Sequence, residues 1–308
     1  LSAPLGLYAK LVLMTALWGG QFIAGRTLAP LLPDFTAGTM RFLAATVVLV
    51  ALVRLREGGL PRLDRRQLGA MIALGFSGVF IWNACFFAGM ERVPASRGAL
   101  IMALNPIAIS LGMWLVYGER MTGWRWLGIA VALVGAAIVI SHGDLPSLFA
   151  GALGPGEAFI FGSVLGWAVY TLIGRRVLGR VSALATTTYA ALFGTAMLAA
   201  GAVIEHPWGE LAALPPEGWA AIVYLGVLGT VVAFLWFYEG VQRIGPSRTA
   251  VFINLVPVFG VTFGAVLLGE PVLASMVIGG LLVIAGVALT NRRSPAARPP
   301  EGWERGGS

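Results

Sequence analysis

Two helical faces and a handful of deep polar residues carry what this chain could use to recognise a small solute. Trp18, Gln21, Phe22 and Gly25 recur at spacings of 0, 3, 4 and 7, so one face of a helix presents all four. Trp167, Tyr170, Thr171 and Gly174 repeat that spacing. An indole and an amide side by side can stack on a ligand and hydrogen-bond it; the same faces could also be packing surfaces. Both tryptophans lie well inside apolar runs, too deep for an aromatic belt. Pro106 and Pro257 fall near the middle of two further runs. Proline has no N–H for the carbonyl four residues back, so the carbonyls of Met102 and Ile253 are freed, either to kink the helix or to accept from a substrate ammonium. Asn105 and Asn254 near the prolines, and Asn83 next to Trp82, are the buried-amide candidates. The default for Arg26 and Arg41 is to snorkel to headgroups, although Arg41 could instead face a cavity and attract a carboxylate. Glu119 and Glu270 each follow a Gly at the close of an apolar run and are expected to cap the next helix, with Pro271 in its first turn. A gating salt bridge is the alternative.

Several chemistries are missing. No Gly-Lys-Ser/Thr phosphate loop is present to drive an ATPase, and no carboxylate or histidine cluster supports a membrane enzyme. His142 and His206 are isolated, so neither a metal nor a cofactor is expected. Cys85 is the single cysteine, which excludes an internal disulfide.

The elements that position these residues follow from composition. Of 308 residues, 58% are hydrophobic and 11% charged, and mean hydropathy is +0.85, which fits lipid rather than water as solvent. The net charge of +7 fits cytoplasmic loops of a membrane protein better than nucleic-acid binding. Ten spans are expected, over 7–28, 35–55, 68–90, 94–117, 123–141, 156–174, 183–204, 217–239, 245–268 and 271–291. The first lacks a small-residue cleavage site and is expected to remain. With the N-terminus inside, 17 of the 21 Lys and Arg fall on the cytoplasmic side, in loops or at span ends, and only Arg92 and Arg97 fall outside. Both termini are therefore expected in the cytoplasm, and the polar tail 292–308 is expected to be disordered.

Residues 92–140 align without a gap on 243–291, pairing Arg92 with Arg243, Ser96 with Ser247, Arg97 with Arg248, Pro106 with Pro257, and Gly118-Glu119 with Gly269-Glu270. Gly75 and Gly78 fall on Gly226 and Gly229 at the same offset, and with a two-residue slip Trp18 falls on Trp167. The fold class is then an all-α membrane protein with two inverted five-helix repeats, 7–141 and 156–291, a known transporter architecture.

Trp18-Gly19, Arg41-Phe42, the two prolines and the paired Gly-Glu also resemble the EamA-type permeases of the drug/metabolite transporter superfamily, over nearly the whole chain. The resemblance implies a cavity lined by spans 1–4 and 6–9, with 5 and 10 as scaffold, and relatives that export amino acids and metabolites. The expected function is a non-ATP carrier in the inner membrane, exporting small neutral or zwitterionic metabolites, amino acids foremost. That preference rests on the absence of deep fixed charge. A multidrug or quaternary-amine exporter comes second and would want an intramembrane carboxylate; a nucleotide-sugar carrier comes third and would want several deep Lys or Arg. All 14 acidic residues fall at span ends or in loops, which favours transport down the substrate's own gradient, with Glu239 nearest a span interior. The expected partners are the solute and the bilayer, and a monomer suffices.

Overall fold

The computed structural model describes residues 5–119, 121–148, 153–177, 181–244, 249 and 252–290, and no β-strand occurs among them. The tail from 292, Arg120, and the repeat partners Ser247 and Arg248 lie outside the described residues. Long apolar runs leave the backbone only itself to bond, so they fold as helices. They are α1 (Leu5–Leu28), α2 (Asp34–Glu57), α3 (Arg65–Met90), α4 (Ala95–Tyr117), α5 (Gly123–Ile140), α6 (Pro155–Val177), α7 (Ala183–Glu205), α8 (216–244), α9 (Val256–Leu268) and α10 (Ala274–Thr290). Eight are long and apolar enough to cross a membrane; α9 and α10, with 13 and 17 residues, are shorter apolar helices. Asp64 and Gln67 form a reciprocal capping box at the start of α3, and a one-turn helix, Trp208–Ala212, sits between α7 and α8. Successive helices run in alternate directions. We call the end at which α1 starts proximal and the other end distal.

Three irregularities recur at matching positions. A π-helical stretch widens α3 at Gly75–Ile81 and α8 at Tyr224–Val232. α4 is interrupted by a turn at Ala103 and Leu104, while Asn254 and Leu255 form the turn just before α9. Gly118 and Gly269 end α4 and α9 with left-handed φ of 66° and 67°, which a side chain would strain. The prolines thus break the helix where a kink is the simpler expectation: Pro106 and Pro257 each sit in the first turn of a new segment, where a missing N–H leaves no gap.

Small residues set the tightest packing. α5 and α10 meet backbone to backbone: a methyl on Gly135 would stand 2.5 Å from the Gly279 carbonyl, and one on Gly286 would stand 2.5 Å from that of Gly128. The π stretches pack crosswise. A Cβ on Gly75 would meet Ala190 O, Phe193 Cβ and Gly194 N of α7, and one on Gly226 would meet Arg41 O, Ala44 Cβ and Ala45 N of α2. One half's contacts thus match the other's, at an offset of 149 positions between α2 and α7 and of 151 between α3 and α8. Outward-facing apolar side chains such as Leu115 (71% exposed) and Val266 (74%) are what a lipid-facing surface requires.

Candidate substrate site

The deepest polar cluster forms where α1, α2, α3 and α8 meet. The Gly229 carbonyl, within the π stretch of α8, accepts from Trp18 Nε1 at 3.1 Å and from Gln21 Nε2 at 3.2 Å. The amide oxygen of Gln21 in turn accepts from Arg41 Nη2, which also reaches Thr230 Oγ1 at 3.3 Å. Arg41 is 4% exposed, so it does not snorkel. Its position on the face of α2 packed against α3 and α8 puts its guanidinium beneath Trp82, 4.9 Å from the ring centroid, with Phe42 and Phe86 at 5.5 and 5.9 Å. A fixed charge therefore lies deep in the protein, where none was expected. Nε and Nη1 of Arg41 are buried with no hydrogen-bond partner, and among the described residues no carboxylate is paired with it. Asn83 is fully buried; its Nδ2 donates to Val79 O at 2.7 Å and its Oδ1 has no partner.

The two tryptophan faces converge on α8. Trp18 lies edge-on to Phe234 at 5.6 Å, and Trp167 lies 6.2 Å from the same ring while stacking on Tyr170 at 5.1 Å. Other candidates separate from the cluster. Phe22 and Met102 belong to the apolar core around Phe86 and Met90, because the helix turn that presents Gln21 to α8 turns Phe22 toward α3 and α4. Thr171 bonds its own helix at Trp167 O. Asn105 keeps a buried Oδ1 without a partner, and Ile253 and Asn254 are half-buried in and before the turn preceding α9. Thr230 and the Gly229 carbonyl escaped the sequence reading. Their signal was a polar residue after Gly229 where the matching Gly78 is followed by Val79.

Carboxylates tie the ends. Glu270 does not cap the helix that follows it, since α10 starts only at Ala274 and Pro271 precedes it. Its carboxylate reaches across to the start of α4, accepting from Ala95 N (2.6 Å), Ser96 N (2.9 Å) and Ser96 Oγ (2.5 Å). Glu205 does the same for α2, accepting from Phe35 N, Thr36 N and Thr36 Oγ1 at 2.7–2.9 Å. Glu157 pairs with Arg97 at 2.7 Å, both nearly buried. Arg26 donates to the carbonyls of Met90 and Glu91 at 2.5 Å, closing the end of α3 instead of snorkelling. At the proximal end Glu119 pairs with Arg175 at 2.6 Å and lies 3.9 Å from Arg125, an ion pair where capping of α5 was expected. Glu239 pairs with Lys10 and Arg243. It lies beyond the apolar stretch that ends at Phe237, and the hydrogen bond from Lys10 holds its carboxyl below the ordinary range, so it stays ionised at neutral pH. These proximal pairs are more exposed than the distal Arg97–Glu157 pair and contribute less.

The family model of the EamA-like transporter family matches residues 7–141 and again residues 154–292. The chain belongs to this family. It is 32% identical over 284 residues, 92% of each chain, to an uncharacterized transporter of Bacillus subtilis (strain 168), YyaM. It is 28% identical, over 94% of each chain, to a probable terminal-alkyne amino-acid exporter of Streptantibioticus cattleyicolor. A solved crystal structure superposes with a TM-score of 0.63 at 22% identity, covering 94% of this chain and 98% of the other, and shares the fold. This EamA chain is accordingly a multi-pass membrane transporter and not an enzyme.

Proposed function

We propose that this EamA transporter exports small zwitterionic metabolites, amino acids foremost, across the inner membrane by alternating access between two inverted five-helix halves, 7–141 and 156–291. The observation that carries the reading is the reciprocal packing of the π stretches: each half lays its widened helix against the first two helices of the other through equivalent atoms. Two copies of one fold that differ slightly can exchange conformations, which opens one end as the other closes. The amino-acid preference is supported by the relative named as an amino-acid exporter and by the buried Arg41, which repels a quaternary amine. In proteoliposomes, radiolabelled amino acids should equilibrate and quaternary amines should not. A pH gradient alone should drive no accumulation, because Glu239 is held in ion pairs. Uptake of amines alone would sink the substrate reading, and protonophore-sensitive uphill accumulation would sink the coupling.

The 17-to-2 charge bias makes the proximal end cytoplasmic and the distal end external. A reporter active only in the periplasm, fused to Ser308, should stay silent. A strong signal would reverse the orientation and with it the span count of ten.

A further inference from the structure

We propose that Arg41 is the anchor for a carboxylate on the transported solute, so that the substrate class is small organic acids and amino acids that carry a free carboxylate. This rests on the transport reading above and adds to it the group that is recognised. Arg41 enters the protein interior without a counter-ion among the described residues. Two of its three nitrogens have no partner, and the third is met by neutral oxygens of Gln21 and Thr230. A buried guanidinium in that condition is costly, and a bidentate carboxylate is the ligand whose geometry matches its fork. Both bidentate faces of a guanidinium include Nη2, so one carboxylate oxygen would take the place of the Gln21 amide oxygen there while the other reaches an unpartnered nitrogen. Trp82 lies over the guanidinium and would flank the ligand. Asn83, on the next residue, offers an unpartnered acceptor that suits an ammonium.

The halves themselves argue that this is no scaffold feature. The contacts of Gly226 with Arg41, Ala44 and Ala45 repeat as those of Gly75 with Ala190, Phe193 and Gly194. The place of Arg41 in the second half is therefore taken by Ala190, that of Gln21 by Tyr170 and that of Thr230 by Val79. The same fold is built there with no charge. One half holds the anchor and the other does not, which is what a single asymmetric ligand needs.

The test uses the full chain purified in detergent and read by thermal unfolding. The probes are the twenty amino acids, short mono- and dicarboxylates, and, for each acid, its primary amide and its decarboxylated amine. At least one acid should raise the Tm while its amide and amine do not. Arg41→Met should weaken that acid on the order of a hundredfold, and Arg41→Lys, which keeps the charge but loses the fork, about tenfold. Gln21→Glu gives Arg41 an internal carboxylate. It should unfold at a higher temperature than the wild type and no longer respond to the acid, a combination that misfolding cannot produce. The proposal is overturned if Gln21→Glu or Arg41→Met binds the acid undiminished, if the amide binds as well as the acid, or if no carboxylate stabilises the wild type. Amines accumulating in vesicles while no acid binds would refute the anchor and leave transport standing. Acids binding through Arg41 while no solute moves would do the reverse.

Discussion

Gly135→Val should leave almost no folded protein in detergent extracts, whereas Gly123→Val at the start of the same helix should be recovered like the wild type. At Gly135 the added carbon would stand 2.5 Å from Gly279 O and 2.8 Å from Val283 N. Those atoms belong to a helix backbone that is already hydrogen-bonded, so α10 would have to retreat as a body. Overpacking of a yielding core costs about 1–3 kcal/mol, and a rigid obstacle puts this case at the upper end or beyond. Lipid supplies no hydrophobic drive to hold the helices together once close contact is lost. A Cβ on Gly123 meets nothing within 4 Å. The comparison is read by size-exclusion chromatography with fluorescence detection. Equal monodisperse peaks for the two variants would show that the α5–α10 seam is not what holds the halves.

The second large effect is expected at the distal end. Glu270→Ala removes three hydrogen bonds from the start of α4, in a pocket that exists because Gly264 has no side chain: a Cβ there would lie 2.7 Å from Glu270 Oε2. Bonds to a charged acceptor are worth about 1.5–3 kcal/mol each when broken singly, and the helix dipole adds to the loss. Shared between them, about 3 kcal/mol of the distal closure should disappear. A cysteine replacing the buried Val93, in a Cys85→Ala background, should react with an impermeant maleimide at least tenfold faster when Glu270 is also replaced, since about 1.4 kcal/mol is a factor of ten. An unchanged labelling rate would mean that Glu270 serves only the local turn.

Helices and their order were legible because lipid forces every apolar run into the same structure and leaves periodicity and charge bias to place it. The pairing of the glycines was legible in the sequence; what they serve, the π-widened turns and the α5–α10 seam, needed three dimensions. The snorkelling default failed for Arg41 because it is judged from distance along one helix, whereas burial is decided by α3 and α8 closing over the side chain. Glu270 was misread for a related reason. Capping is a local expectation, and the helix start that this carboxylate satisfies lies 174 and 175 positions away in sequence. Trp18 and Gln21 were placed correctly on one face of α1, but their common acceptor, the Gly229 carbonyl, is a backbone atom that no side-chain pattern announces.

The one-turn helix Trp208–Ala212 marks the place where the two halves differ in length. Equivalent contacts lie 149 positions apart on α2 and α7 but 151 apart on α3 and α8, so the stretch between those helices is two residues longer in the second half. The connection after α7 runs from 206 to 215, whereas its counterpart after α2 runs only from 58 to 64. Had the two residues fallen inside a helix, everything beyond them would have swung by about 200°, and Gly226 and Gly229 would have turned away from α2 and α1. Placed in a connection they were taken up by a single extra coil. The two halves can therefore differ in length, and in the charge carried at position 41, while keeping the same faces in contact.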